Sequence, residues 1–310
     1  MTTAVVFAYH DVGVRGLSVL LDQAVDVRLV VTHEDDPAET LWFESVADLA
    51  RAHGLPVVTP PRRGLPPLAE RIGLLAPDLV FSFYYRHLLP SGLLAVPRYG
   101  AYNMHGSLLP RYRGRAPVNW AILNGEHETG ASLHVMTAAP DAGDLVDQMA
   151  VPILLDDTAR DVMRKVSCAA EIVLARVLPA LREGRVSRQP LDLARGSYFG
   201  RRRAEDGRID WRQPARRVHD LVRAVAPPYP GAFADLRVGR LAVHRTRLDA
   251  VPARHRAPAL YAEEDRLYAD CGDACRLEVL QCLLAGERYD ARQHRSRWGG
   301  RVLPLGDAPA

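Results

Sequence analysis

Three polar residues in this chain have the types and spacing to move an acyl group onto an amine. Asn103 and His105 stand two apart in Asn103-Met104-His105-Gly106-Ser107-Leu108-Leu109-Pro110, and Asp141 follows in Pro140-Asp141-Ala142-Gly143-Asp144. When an amine attacks an activated formyl carbonyl, negative charge builds on the carbonyl oxygen, and a fixed amide N–H such as that of Asn103 stabilises it. The amine must also lose a proton. His105 is the natural acceptor, and in an extended segment the two-residue spacing puts it on the same face as Asn103. A carboxylate would orient the ring and hold the proton on it, which is the part assigned to Asp141. No serine or cysteine nucleophile is obviously paired with the three, so the transfer reads as direct. Asn-x-His by itself is more often the pattern of a hydrogen-bonded structural histidine, and the surrounding chain has to decide.

The elements that must position these residues can be read from hydrophobic periodicity. Short apolar runs at 4–8, 27–32, 55–59, 79–83 and 99–105 read as strands, with helices at 45–53 and 68–76 between them. That alternation predicts a doubly wound, Rossmann-like α/β domain with a parallel-rich sheet, and puts Asn103 and His105 at the C-terminal end of a strand, where such sheets hold ligands. Strands at 132–136 and near 145–153 and a helix from about 158 to 183 complete a catalytic domain of residues 1–185. Asp157 is the expected N-cap of that helix, and Val162, Val166, Ala169, Val173 and Val177 its buried stripe. A linker at 186–203 precedes a second domain, 204–310. It opens with a helix at 214–225 and the turn Pro227-Pro228-Tyr229-Pro230-Gly231 and continues with short strand-like runs at 232–238, 241–247, 259–261, 267–270 and 276–281, which fit a small β-barrel. The tail after Gly286, with Arg292, Arg295 and Arg297, is a candidate for disorder and is assigned no role.

Composition bounds the rest. A chain of 310 residues with 48% hydrophobic content can bury a large core and a smaller one. The start, MTTAVVFAYHDVG, has no basic leader followed by a long apolar run, and no stretch approaches a membrane span, so a cytoplasmic location is expected. Cys168, Cys271, Cys275 and Cys282 fit no zinc spacing and read as buried, reduced thiols, so no metal is expected. Residues 201–310 hold 21 Arg and no Lys against 15 Asp plus Glu, about +6, while the remainder is about −3. Lys165 is the sole lysine, so arginine use is a bias of the whole chain, the field is modest and nucleic acid is not the expected partner.

Residues 103–117, NMHGSLLPRYRGRAP, together with the downstream Asp141, resemble the signature of the 10-formyltetrahydrofolate-dependent formyltransferases. The resemblance makes Asn103, His105 and Asp141 the catalytic trio and implies that the C-terminal domain is OB-like. N10-formyltetrahydrofolate is then the formyl donor. Its contacts are implied at His87, Leu88 and Leu89, at Arg115, and at a loop of Thr137, Ala138, Ala139, Pro140 and Asp141 that closes over it. The pattern suits a flat pterin, which needs backbone groups at its edge and apolar walls. Leu88 and Leu89 read equally well as core, and Tyr84, Tyr85 and Arg86 either as structural aromatics and a cation or as contacts to a substrate. Arg201, Arg202 and Arg203 read first as a solvated basic run and second as a diphosphate site.

Within that family the acceptor is read elsewhere. The stretch at 32–39, Thr-His-Glu-Asp-Asp-Pro-Ala-Glu, is acidic where the tRNA-directed members carry a basic loop. The strings VFAYHDVG, THEDDP, FSFYYRHLLP, PDAGDLV, YFGRR and WRQPARRVHDLVRAVAPPYPGAF resemble the formyltransferase domain of the bifunctional polymyxin-resistance enzymes. Those act on UDP-4-amino-4-deoxy-L-arabinose in the aminoarabinose modification of lipid A. The expected partners are therefore small molecules, a UDP-amino sugar and the folate, with no membrane. The chain ends at Ala310 without a second Rossmann domain, so a separate decarboxylase partner, a homo-oligomer or a fragment of a bifunctional enzyme is expected. Another nucleotide-linked amino sugar, methionyl-tRNA, and a non-catalytic folate- or nucleotide-sugar-binding protein stay open as alternatives.

Overall fold

The segment Thr-Ala-Val-Val-Phe-Ala is apolar on both of its faces, and from Ala4 to Ala8 every side chain is buried, so the first strand must lie inside a sheet covered on both sides. The structure, a computed structural model, describes residues 1–37 and 40–306. Ala38 and Glu39 of the acidic stretch and the last four residues of the tail lie outside the described residues. The chain forms two compact units. The first holds Met1–Pro117, Glu128–Pro152 and Met163–Gly200; the second holds Val118–His127, Ile153–Val162 and the chain from Arg201 onward.

In chain order the first part runs β1 (Thr3–Ala8), α1 (His10–Asp22), β2 (Asp26–Val31), α2 (Val46–Ala52), β3 (Val57–Val58), α3 (Leu65–Leu75), β4 (Leu79–Phe83), α4 (Ser91–Leu94), β5 (Gly100–His105) and β6 (Arg113–Gly114). Then come α5 (Pro117–Leu123), β7 (Glu128–Val135), β8 (Leu145–Pro152), α6 (Ala159–Arg182) and β9 (Tyr198–Phe199). The main sheet has the order β3-β2-β1-β4-β5-β7-β8, parallel from β3 to β5 and antiparallel across β7 and β8. This is the parallel-rich α/β sheet expected. One face packs Val5, Phe7, Leu29, Val31 and Val80 against Leu65, Leu68 and Ile72 of α3. Each large side chain buried this way contributes roughly 1.5–3 kcal/mol.

Helix α1 was not foreseen, for a physical reason: its sequence carries Gly13 and Gly16, which lower helix propensity. Both are needed for close packing. A Cβ at Gly16 would come 2.6 Å from the Phe83 ring, and one at Gly13 would come 2.9 Å from Val46. For α6 the expected stripe is present, except that Val177 is half-buried while Leu174, Leu178 and Leu181 are fully buried. Its cap is Thr158 and not Asp157. Thr158 Oγ1 accepts from the Asp161 N–H at 3.3 Å while the Asp161 carboxylate accepts from the Thr158 N–H at 3.0 Å, a reciprocal capping box. Asp157 instead accepts from the Leu154 N–H at 2.7 Å, closing the preceding turn.

The second unit adds α7 (Ala215–Val225), β10 (Ala232–Leu236), β11 (Gly239–Pro252), β12 (Ala259–Glu263), β13 (Arg266–Asp270), β14 (Cys275–Leu284), β15 (Glu287–Tyr289), α8 (Ala291–Trp298) and β16 (Leu303–Pro304). The strands form a nearly closed antiparallel barrel in the order β10-β11-β14-β13-β12-β16, with β15 on β14. Register shifts along β11 against β14 let the long strand bend around it. From Glu287 to Gly306 the tail is ordered, against the expectation of disorder at Arg292, Arg295 and Arg297. Asp290 caps α8 in a capping box with Gln293, and the buried His294 donates from Nε2 to the Arg301 carbonyl at 2.9 Å while its Nδ1 lies 2.9 Å from Tyr289 Oη. All four cysteines are free; Cys271 and Cys282 are buried, but Cys168 and Cys275 are exposed, against the expectation of four buried thiols. No described helix is long and apolar enough to cross a membrane.

Candidate active site

Strand β5 lies where the sheet changes direction, parallel to β4 on one side and antiparallel to β7 on the other. Its last residues carry Asn103 and His105 on one side of the pleat, with Met104 between them buried on the other. Asp141 arrives from the β7–β8 connection in a left-handed backbone conformation, φ 51°. Gly143 keeps that connection tight, since a Cβ there would fall 2.0 Å from the Val135 carbonyl oxygen.

The structure brings the three together and adds a fourth. His105 Nδ1 lies 3.5 Å from Asp141 Oδ1, and Asn103 Nδ2 donates to the same oxygen at 3.4 Å. His134, which sits opposite Asn103 in the β5–β7 register, places Nε2 3.5 Å from Asp141 Oδ1 and 3.1 Å from Asn103 Nδ2. Asp141 Oδ2 accepts from the Gly114 N–H at 3.0 Å. Burial pushes the Asp141 carboxyl up, but the charge of His105, the hydrogen bond and charge of His134 and the Gly114 N–H outweigh it and hold the group well below the usual carboxylate range. It is a committed anion at neutral pH.

The other His105 nitrogen is held as well. Nε2 is 2.8 Å from the Tyr112 carbonyl oxygen, which can only accept, so Nε2 carries a hydrogen and the neutral ring has its lone pair on Nδ1, facing Asp141. Tyr112 is fixed for this. Its N–H donates to Ser197 Oγ at 2.8 Å and its ring stacks on Phe199 at 5.2 Å. The turn between β5 and β6 is pinned by Ser132, whose Oγ donates to the Ser107 carbonyl at 2.6 Å and accepts from the Leu109 N–H at 3.1 Å.

The remaining sequence candidates fall into two groups. Arg115 donates to the Arg86 carbonyl at 2.7 Å, and the Arg86 guanidinium lies 4.6 Å from the centre of the Tyr9 ring. His87 stands edge-on to His33 at 4.9 Å, and His33 stacks on Tyr85 at 4.2 Å. These aromatics continue through Tyr9, Phe43 and Trp42 to the buried His10. Burial, then the neighbouring His87, Arg86 and Arg115, push His33 down to about 4; burial against the opposing pull of Asp11 takes His10 to about 4. Leu88 is 61% exposed and so is not core, whereas Leu89 packs against the core of the sheet. The backbone N–H and C=O groups of His87, Leu88 and Leu89 take no hydrogen bond among the described residues. Thr137, Ala138 and Ala139 are exposed; Pro140 is half-buried. Tyr84 Oη reaches the end of β5, where a Cβ on Gly106 would meet it at 1.8 Å, and it donates to Met163 Sδ at 3.7 Å. Arg201 and Arg203 are exposed, as a solvated run would be, and the Arg202 guanidinium lies 4.9 Å from the centre of the Trp120 ring. Sequence reasoning missed His134 and Tyr112. His134 gave one signal, a polar residue inside the strand expected at 132–136.

The sequence pattern described as formyl transferase matches residues 18–178, and the one described as formyl transferase, C-terminal domain, matches residues 202–294. The fold is similar to that of an N-formyltransferase from Helicobacter canadensis solved with folinic acid and dTDP-3-aminofucose, at a TM-score of 0.74 and 19% identity over 93% of this chain and 100% of that one. It is similar to a sugar 3N-formyl transferase solved with dTDP and 5-N-formyl-THF, at 0.69 and 18% over 90% and 97%. A 4-N formyltransferase from Francisella tularensis gives 0.61 and 21% over 76% and 93%. At these identities the structures attest the fold alone. The first sequence match by itself covers more than half of the 310 residues, and on that ground the chain belongs to the formyl transferase family.

Proposed function

We propose that this formyltransferase moves the formyl group of N10-formyltetrahydrofolate onto the 4-amino group of UDP-4-amino-4-deoxy-L-arabinose, with Asn103, His105 and Asp141 as its catalytic residues. The observation that carries the reaction class is the His105 Nδ1 to Asp141 Oδ1 contact of 3.5 Å, beside Asn103 at the end of β5. The donor supplies an activated formyl carbon and leaves as tetrahydrofolate. Its fit rests on the unpaired backbone groups of His87, Leu88 and Leu89, the exposed Leu88 side chain as an apolar wall and Arg115 close by. The exposed Thr137, Ala138 and Ala139, with Pro140 and Asp141, are the segment proposed to close over it.

The chain's own part is proton handling and orientation. The amine nitrogen bonds to the formyl carbon as its proton passes to His105 Nδ1; Asp141 keeps that proton on the ring, and His105 returns it to the leaving nitrogen. Protonated His105 also stabilises the charge on the formyl oxygen. The acceptor assignment rests on the sequence strings that resemble the polymyxin-resistance enzymes, and the proposed step is a cytoplasmic one on the route to aminoarabinose-modified lipid A. A second reading, a dTDP-linked amino sugar, is favoured by the dTDP ligands of the Helicobacter canadensis enzyme and of the sugar 3N-formyl transferase.

The test is a formyl-transfer assay offering UDP-4-amino-4-deoxy-L-arabinose, a dTDP-4-amino sugar and charged initiator tRNA in parallel, with His105→Ala as control. Turnover on the UDP-pentose supports the proposal. Turnover on the dTDP sugar alone supports the second reading, and turnover on tRNA or on none overturns both.

A further inference from the structure

We infer that Cys271 and Cys275 form a dithiol–disulfide couple, a modification site in the barrel whose reaction partner is a small-molecule disulfide. Nothing in it depends on the formyl-transfer reading. Strand register supplies the first observation. Along β13 and β14, Tyr268 faces Glu278, Ala269 faces Leu277 and Asp270 faces Arg276. One rung further the Cys271 N–H donates to the Cys275 carbonyl at 2.9 Å, so the two cysteines close the hairpin opposite one another. Directly opposed residues of antiparallel strands share a face, with Cβ atoms about 4.5–5.5 Å apart, and a disulfide needs about 3.5–4.5 Å. A shift of roughly 1 Å therefore brings the two sulfurs into bonding geometry. The other two thiols lack this arrangement: Cys282 on β14 faces Val243 and Tyr289, and Cys168 lies on α6.

The connecting loop is already shaped for closure. Ala274 sits in the left-handed region, φ 57°, as the last residue of a three-residue hairpin loop does. Asp273 Oδ1 accepts from the Cys275 N–H at 3.2 Å, and its Oδ2 accepts at 3.1 Å from the N–H of Ala215, the first residue of α7. The Gly272 N–H donates to the Gln213 carbonyl at 3.2 Å, and a Cβ on Gly272 would fall 1.9 Å from the Arg212 carbonyl oxygen. The tip is thus pinned against α7 and the segment before it, with both cysteine backbones held face to face. Exposure sets the order of events. Cys275 is exposed and Cys271 is 2% exposed, so Cys275 meets the oxidant first. Its sulfur attacks the small disulfide RSSR, forming Cys275–S–S–R and releasing one RSH that takes up the cysteine proton. Burial, then Asp273, Asp270 and Cys275, push the Cys271 thiol up to about 12, so it is shielded from bulk reagents and reacts with the sulfur held beside it. Cys271 attacks the Cys275 sulfur, the bond to R breaks, and a second RSH leaves with the Cys271 proton. The chain loses two electrons and two protons, and RSSR gains them as two RSH. The new bond ties β13 to β14 at the tip that holds the start of α7.

The test uses the reduced full chain carrying Cys168→Ser, which removes the other exposed thiol, and incubates it with oxidised glutathione while intact mass and free thiols are followed. The expected product has lost two thiols, weighs about 2 Da less than the reduced chain, carries no glutathione, and gives a peptide linking Cys271 to Cys275. Dithiothreitol should return both thiols. Adding Cys271→Ser should stop the reaction at its first step, with one glutathione retained on Cys275, whereas adding Cys275→Ser should abolish the linked peptide. Because Cys271 is buried, its variant can fail to fold, and the Cys168→Ser chain then decides by itself. A lasting glutathione adduct on Cys275, a disulfide between two chains, or thiols that survive in the native protein under conditions that oxidise the denatured chain would each overturn the inference.

Discussion

At the scale of single residues the site is organised around one anion. Asp141 gathers His105, His134, Asn103 and the Gly114 N–H, and its folded carboxyl is held below its unfolded value of about 3.9. A depressed carboxyl contributes stability that is present above the unfolded value and is lost as pH falls through the folded one. Asp141→Asn should therefore flatten the pH dependence of stability below about pH 4, read from denaturant melts between pH 3 and pH 6, and lower kcat by about a hundredfold or more. An undiminished kcat would remove Asp141 from the mechanism. His10 works in a separate window. It is buried neutral with its pKa pushed down to about 4, so the unfolded chain binds more protons between there and about 6.5, and stability should fall as pH drops across that range. His10→Phe should flatten this limb by roughly 1–3 kcal/mol, leaving the share of His33 in place. Asn103, His105 and Asp141 were legible in the sequence because their types and spacing sit in one short motif and its sequel. His134 was not, because its partnership with Asn103 is made by strand register, which no local pattern encodes.

At the scale of elements, the short pairing of β6 with β9 positions the site. Gly114 has φ 96°, its N–H donates to Asp141 Oδ2, and a Cβ there would lie 2.2 Å from the Phe199 carbonyl oxygen. Gly114→Ala should both strain the backbone and push β6 off β9, costing about 1–3 kcal/mol and at least tenfold in kcat because the donor to Asp141 moves with it. Wild-type kinetics in that variant would mean the Gly114 contact is dispensable. The same physics explains what could be read of the elements. Strands β1, β2, β4 and β5 are dense apolar runs and were visible within a residue or two of their ends. Helix α1 was hidden by Gly13 and Gly16, whose cost in helix propensity is offset by close packing on Phe83 and Val46 that only the tertiary structure reveals. The cap of α6 was displaced by one residue because Asp157 and Thr158 are both good capping residues, and the capping box with Asp161 decides between them.

At the scale of the whole molecule, each compact unit is assembled from three separate segments of the chain. Segments 118–127 and 153–162 leave the sheet unit and join the second unit, where α7 holds them. Asn119 Nδ2 donates to the Ala224 carbonyl at 2.7 Å, His219 Nε2 lies 2.9 Å from the Leu155 carbonyl, and Arg223, paired with Asp220 at 2.8 Å in a fully buried ion pair, reaches the Leu154 and Asp157 carbonyls. The excess of arginine in this half serves such pairs: Arg208 and Arg240 share Asp235, and Arg276 joins Asp249 and Glu263 beside the Tyr268 ring. The barrel itself could be anticipated from short strand-like runs, but the two borrowed segments could not, since nothing in their composition sets them apart from the connections around them. They make a cut at the apparent junction costly. Expressed as residues 1–200, the chain would keep 118–127 and 153–162 without the donors and acceptors of α7, each lost buried hydrogen bond worth about 1 kcal/mol net against a total margin of about 5–15 kcal/mol. Limited proteolysis should then cleave the fragment within 118–127 and 153–162 at protease levels that spare the full chain, and its melting temperature should be lower by about 5 °C or more. A fragment that melts like the intact protein and resists cleavage there would show that the sheet unit orders these segments by itself.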